Sequence, residues 1–186
     1  MTIKQLPNVV TAFRIVGTIW MAFTKPLSKW FYVAYTLCGI SDILDGMLAR
    51  KFKATSEFGA KLDSIADLLF YTVMAVKILP ILMKVLPVAT WYMLAAVIVL
   101  RIMSYTLAAI KYKRFASLHT YMNKVTGLAT FAIPYFIIFP FFAIYSYIGC
   151  SIAGVATIEE LLMHIRAKEY QPGVKTIFVQ KVNYSI

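Results

Sequence analysis

Carboxylates are scarce in this chain. Asp and Glu together number eight in 186 residues, against nineteen Lys and Arg, giving a net charge of +11. Charged residues of both signs reach only 15%, while 61% of the chain is apolar and the mean hydropathy is +0.74. A soluble domain carries about a quarter charged residues. This composition therefore argues against a soluble globule and for an integral membrane protein. A basic nucleic-acid binder is excluded too, because the Lys and Arg are spread over loops between membrane-length apolar runs. Cysteine is nearly absent. Cys38 and Cys150 lie in apolar runs without CxxC spacing, which excludes a disulfide scaffold or a zinc site and leaves two buried small side chains. Internal repeats and low-complexity segments are missing. No small-residue cleavage site follows the first apolar run, which contains Asn8, Thr11 and Arg14, so a retained first span is expected.

What is present is a series of apolar runs. They predict an all-α, six-helix transmembrane bundle in a single domain over 1–186, with spans at about 7–23, 29–50, 56–82, 86–111, 121–139 and 141–165 and a polar tail over 166–186. Pro7 suits a first helical turn, where its missing N–H costs nothing. Ser56 is a candidate N-cap, with Glu57 in the following turn favouring the helix dipole. Pro172-Gly173 signals a turn in the tail. Six spans put both termini on one side. The segments on that side carry eleven Lys and Arg, from Lys4 to Lys181, against Lys25, Lys29 and Lys84 opposite. That bias predicts a plasma-membrane protein with both termini and the ends of spans 2 and 3 facing the cytoplasm.

Half of the scarce carboxylates are aspartates at the junction of spans 2 and 3: Asp42, Asp45, Asp63 and Asp67. One ionised side chain inside a bilayer costs about 2.5–3.5 kcal/mol, so four unpaired ones would cost roughly 10 kcal/mol. A cation must sit among them. Asp42 and Asp45, three apart, share a helix face; Asp63 and Asp67, four apart, share another. The antiparallel connection brings the pairs together. Clustered oxygen ligands suit Mg²⁺ or Mn²⁺, and two ions would neutralise the four charges and clamp a phosphate. Gly46 and Ala49 thin the face of span 2, and Gly59 does the same on span 3, so a bulky ligand could approach the backbone. Arg50, one turn beyond Gly46, could pair a phosphate or an aspartate.

The spacing D-x2-D-G-x2-A-R-x8-G-x3-D-x3-D resembles the signature of the CDP-alcohol phosphatidyltransferase family. Asp42, Asp45, Gly46, Ala49, Arg50, Gly59, Asp63 and Asp67 meet every fixed position. Pro7-Asn8-x2-Thr11-x2-Arg14 is similar to the family's opening. The resemblance implies transfer of a phosphatidyl group from CDP-diacylglycerol to the hydroxyl of a small alcohol, with release of CMP. It implies Asp42, Asp45, Asp63 and Asp67 as metal ligands and Asp67 also as the base. Asn8, Thr11, Asp42, Asp45, Gly46, Ala49, Arg50 and Gly59 would bind the nucleotide. A homodimer is implied as well.

The acceptor is less fixed. Arg101 in span 4 needs an anion: the resemblance implies that it binds the acceptor, with Lys111 and Lys124, and the alternative is an ion pair with an aspartate of the cluster. Asn123 stands beside Lys124. Glycerol 3-phosphate is the expected acceptor, with serine or inositol (phosphate) as alternatives. Leu62-Asp63-Ser64-Ile65-Ala66-Asp67 is closer to phosphatidylserine synthases, while the opening motif leans toward the glycerophosphate group. His119 reads as an interfacial side chain, and Glu159 and Glu160 as partners of nearby Lys or Arg. A reading from another class is a small cation transporter using the aspartates as an ion path. Transport would need polar residues continuing across spans 4–6, and the carboxylate cluster is confined to one face.

Overall fold

A computed structural model describes residues 5–52, 54, 56–113, 118, 120–167, 169–170 and 173–179. His119, Lys4, Lys53, Arg114, Lys168, Pro172 and Lys181 lie outside the described residues. Among the described residues six α-helices follow in order: α1 (Leu6–Phe23), α2 (Lys29–Lys51), α3 (Glu57–Val85), α4 (Val88–Tyr112), α5 (Tyr121–Phe136) and α6 (Phe142–Arg166). A short 3-10 turn covers Ile177–Val179 in the tail. The chain divides into two compact units, Met1–Lys84 and Val85–Ile186.

Unit 1 holds α1–α3. The buried face of α1 is Pro7, Thr11, Arg14, Thr18 and Met21, which recur at helical spacing. Phe13, Val16, Ile19, Trp20 and Phe23 face outward. A helix with its polar stripe inward and its apolar residues outward suits lipid as solvent, because the stripe can be satisfied only by other helices. Gly17 lets α1 approach α2, since a Cβ there would lie 3.0 Å from Cys38 Sγ. Phe31, Tyr35 and Phe70 stack in sequence, with ring centroids 5.8 and 5.4 Å apart, and join α2 to α3. Lys77 of α3 donates to the Thr24 carbonyl at the end of α1, where the helix dipole favours a cation. The caps follow the sequence. Ser28 accepts from Phe31 N at 3.3 Å, and Ser56 accepts from Gly59 N at 3.0 Å, as expected of an N-cap on α3.

Unit 2 holds α4–α6. Thr90 of α4 and Ser146 of α6 share a hydrogen bond of 3.1 Å, and Tyr145 donates to the Ala129 carbonyl of α5 at 2.5 Å. Thr120 caps α5 by accepting from Asn123 N at 3.1 Å. The tail packs back on this unit. Glu159 accepts from Thr176 Oγ1 at 2.8 Å and from Ile177 N at 3.1 Å, rather than from the Lys or Arg expected.

Among the described residues five helices, α1, α2, α3, α4 and α6, are long and apolar enough to cross a membrane, as befits a multi-pass membrane protein. The fifth expected span, 121–139, is shorter than predicted. Its helix stops at Phe136, and Phe139 N and Phe142 N then turn onto the carbonyls of Phe136 and Phe139. Pro140 is the cause, since the residue before a proline is pushed out of the helical region. Sixteen helical residues reach only about 24 Å, short of a hydrocarbon core of about 30 Å. Cys150 is half-buried rather than buried, while Cys38 is buried as expected.

Candidate active site

The site lies in unit 1. Asp42 and Asp45 stand on one face of α2, and Asp63 and Asp67 on one face of α3. One oxygen from each of Asp42, Asp63 and Asp67 falls within 4.8 Å of the other two. Their side chains are 52%, 46% and 43% exposed, whereas Asp45 is only 7% exposed. The four are therefore not equivalent: three form an open cluster and one lies beneath it. Asp45 Oδ2 accepts from the Thr11 hydroxyl at 2.8 Å.

A cation does sit among them, and it comes from α1. The Arg14 side chain is 1% exposed. Its Nη1 pairs with Asp42 and, at 2.8 Å, with Asp67; its Nη2 pairs with Asp63 and, at 3.1 Å, with Asp45. One planar guanidinium thus engages every aspartate of the cluster, which its fork of donors allows and a lysine would not. The sequence puts Arg14 inside span 1 and within the opening motif without indicating its role. The signal was its spacing: Pro7, Thr11, Arg14 and Thr18 form one buried stripe, and an intramembrane arginine requires an anion.

The donor set fits a divalent ion. Three half-exposed carboxylates within reach of one another are hard oxygen ligands of the kind Mg²⁺ and Mn²⁺ take. Asp42, Asp63 and Asp67 would hold it, with Asp45 set deeper against Thr11 and Arg14.

Beside the cluster lies a cleft of about 140 Å³, lined by Asn8 and Thr11 of α1, Asp45, Gly46 and Ala49 of α2, and Gly59 and Asp63 of α3, among others. Small residues make it. A Cβ at Gly46 would meet nothing nearer than Arg50 Nη2 at 4.0 Å, so the glycine leaves that wall open. At Gly59 a Cβ would press on Asn8 Oδ1 at 2.8 Å and Ser56 Oγ at 3.1 Å. Asn8, Thr11, Asp45, Gly46, Ala49 and Gly59, all expected to bind a nucleotide, are brought to this one cleft. Arg50 is exposed at its edge and pairs with none of the aspartates. Asn8 also lines a second, apolar groove of about 720 Å³ with Val9, Phe13 and Val16 of α1 and Phe58 and Leu62 of α3.

The residues expected to bind the acceptor lie in unit 2. Arg101 does find an anion, but it is Glu160: Nη1 donates to Glu160 Oε2 at 2.6 Å, and Nη2 to Asn123 Oδ1 at 3.2 Å. Glu160, fully buried, also accepts from Asn123 Nδ2 at 2.9 Å and Leu118 N at 2.9 Å. Lys111 donates to the carbonyls of His164 and Ile165 at 2.8 and 2.9 Å, at the end of α6, where a cation offsets the helix dipole. Lys124 is exposed in the first turn of α5.

Residues 4–165 match the sequence model of a family described as CDP-alcohol phosphatidyltransferase. The chain is 38% identical over 69 residues to a CDP-diacylglycerol–glycerol-3-phosphate 3-phosphatidyltransferase of Cereibacter sphaeroides, a stretch covering 34% of this chain and 31% of that relative. It is 37% identical over 68 residues to the protein of the same name from Haemophilus influenzae, covering 34% and 37%. A cardiolipin synthase (CMP-forming) of Streptomyces coelicolor is 34% identical over 76 residues, covering 37% and 35%. The matched stretch spans about a third of these curated relatives. No solved structure gives a significant match.

Proposed function

The chain belongs to the CDP-alcohol phosphatidyltransferase family, and on that footing we propose that it is a membrane enzyme transferring a phosphatidyl group from CDP-diacylglycerol to glycerol 3-phosphate. The observation carrying this reading is the juxtaposition in unit 1 of an open carboxylate cluster, Asp42, Asp63 and Asp67, with a cleft walled by Asn8, Thr11, Gly46, Ala49 and Gly59. The name shared by two of the relatives supports glycerol 3-phosphate over serine or inositol phosphate as acceptor.

In this reading the cytidine nucleotide enters the small-residue cleft and its pyrophosphate faces the aspartates. The diacylglycerol chains follow the apolar groove that meets the cleft at Asn8. One or two Mg²⁺ or Mn²⁺ ions held by the aspartates would offset charge on the phosphate under attack and on departing CMP. Asp67 takes the proton from the acceptor hydroxyl. As that proton moves, the acceptor oxygen bonds to the phosphorus of the phosphatidyl group, the pyrophosphate P–O bond breaks, and CMP leaves with the electron pair. An aspartate is a weak base, with an ordinary pKa near 3.9, so proton transfer and bond formation proceed together. Arg101 and Lys124 are the residues we propose for the acceptor's phosphate, Arg101 giving up part of its pairing with Glu160 and Asn123 to do so. Lys111, expected to join them, is engaged at the end of α6. The protein works as a homodimer in the plasma membrane, with its termini and site on the cytoplasmic side and residues 137–141 extending α5 to a sixth crossing.

The transporter reading finds no support in the family match or in the names of the relatives. The test is CMP release from CDP-diacylglycerol by the purified protein, with Mg²⁺ or Mn²⁺ against chelator, and with glycerol 3-phosphate, serine, inositol and inositol phosphate offered separately. Metal-dependent release with glycerol 3-phosphate alone is the expected result. Release with none of them would overturn the assignment, and ion flux in proteoliposomes without CMP release would restore the transporter.

A further inference from the structure

Four carboxylates gathered on two helices repel one another, and Asp45, buried beneath the other three, has the least water to screen it. Unit 1 nevertheless holds them together, and Arg14 is the group that does so. It reaches Asp42 and Asp67 through one terminal nitrogen and Asp45 and Asp63 through the other. Its own position is fixed by α1: Thr11 and Thr18, one turn to either side, are buried on the same stripe, and Thr18 bonds the Arg14 carbonyl at 2.8 Å.

The two tiers of the cluster differ in what Arg14 does for them. Asp45 is buried and has a second donor in Thr11. Asp42, Asp63 and Asp67 are half-exposed, and they are the three whose oxygens come within 4.8 Å of one another. Arg14 takes a single oxygen, Oδ1, from each of these three, so its positive charge stands at the same carboxylates that a metal ion would use. One guanidinium against four carboxylates also leaves the cluster strongly negative.

We propose that Arg14 is a resident counter-ion that assembles the carboxylate cluster before metal arrives and competes with the metal for it. This rests on the proposed metal-dependent reading of the same site. Metal loading is then an exchange: the open carboxylates pass from Arg14 to the ion, and Arg14 stays with Asp45. Arg14 is a positioning residue and touches no reacting atom. Two linked consequences follow, because one residue both stabilises the empty cluster and opposes its loading. Without Arg14 the empty protein is less stable and the metal binds more tightly.

The experiment uses the full-length protein in detergent, with Mn²⁺ as probe. Binding is read by the loss of free-ion Mn²⁺ paramagnetic resonance signal, and stability by thermal unfolding in chelator and in saturating Mn²⁺. Arg14→Met is expected to lower the unfolding temperature in chelator, to regain most of it with Mn²⁺, and to bind Mn²⁺ about tenfold more tightly or better. Arg14→Lys keeps the charge but not the four-way fork, so it should fall between the two. It also serves if Arg14→Met cannot be purified without metal. Mn²⁺ binding that is unchanged or weaker in both variants would overturn the proposal. Failure of the unsubstituted protein to bind Mn²⁺ would instead overturn the metal reading on which it rests.

Discussion

Asn8 Oδ1 occupies the space that a Cβ on residue 59 would need, at 2.8 Å from it. The start of α3 can approach α1 at the cleft because residue 59 has no side chain. Asn8 thereby faces both the small-residue cleft and the apolar groove.

Gly59→Ala should therefore displace Asn8 into the cleft. Helix propensity favours the alanine by up to about 1 kcal/mol, so the fold is expected to hold. The KM for CDP-diacylglycerol should rise by about tenfold with little change in unfolding temperature. Steady-state kinetics at saturating acceptor check this. An unchanged KM would remove Asn8 from the nucleotide site.

Asp67→Asn keeps the size of the side chain and an oxygen for Arg14 or a metal, but it cannot take a proton. Turnover should fall by about 100-fold or more, while binding of CDP-diacylglycerol is retained. The two are separated by measuring CMP release and equilibrium binding on the same preparation. Near-normal CMP release would reject Asp67 as the base.

Glu160 is a fully buried acceptor for donors from Arg101, Asn123 and Leu118. Glu160→Gln replaces one accepting oxygen by a donating amide and leaves Arg101 without its counter-charge. A loss of about 2–4 kcal/mol in stability is expected, read by thermal unfolding in detergent. The acceptor KM should also rise, because Arg101 would no longer be held in place. A variant as stable as the parent would show the network to be incidental.

Lys111→Met separates two roles. The ammonium sits on the last carbonyls of α6, so its loss should cost about 1 kcal/mol of stability and leave the acceptor KM near its starting value. Lys124→Met should do the reverse. Parallel kinetics and melting curves on the two variants distinguish them, and a raised acceptor KM in Lys111→Met would return that residue to the binding set.

The helices and the aspartate pairs could be read from the sequence because both depend on local geometry. Apolar runs of membrane length must satisfy their backbone internally and become helices. Residues three or four apart on a helix must share a face, so Asp42 with Asp45 and Asp63 with Asp67 needed no tertiary information. Ser56 as a cap and the small residues at 46, 49 and 59 follow from the same short-range chemistry, and the need for a cation follows from the cost of burying charge.

Which cation, and which carboxylates stay open, was decided only by packing. The rotation of α1 about its own axis determines whether Arg14 points at lipid or at the aspartates, and no periodicity within one helix sets the azimuth of another. The buried stripe of α1 turns Arg14 inward and puts Thr11 on Asp45, which separates that aspartate from the three exposed ones. The same holds for Arg101. Its need for an anion was legible, but the choice of Glu160, fifty-nine residues away, was made by how α4 meets α6. Sequence fixes what each side chain requires, and long-range packing selects the partner that supplies it.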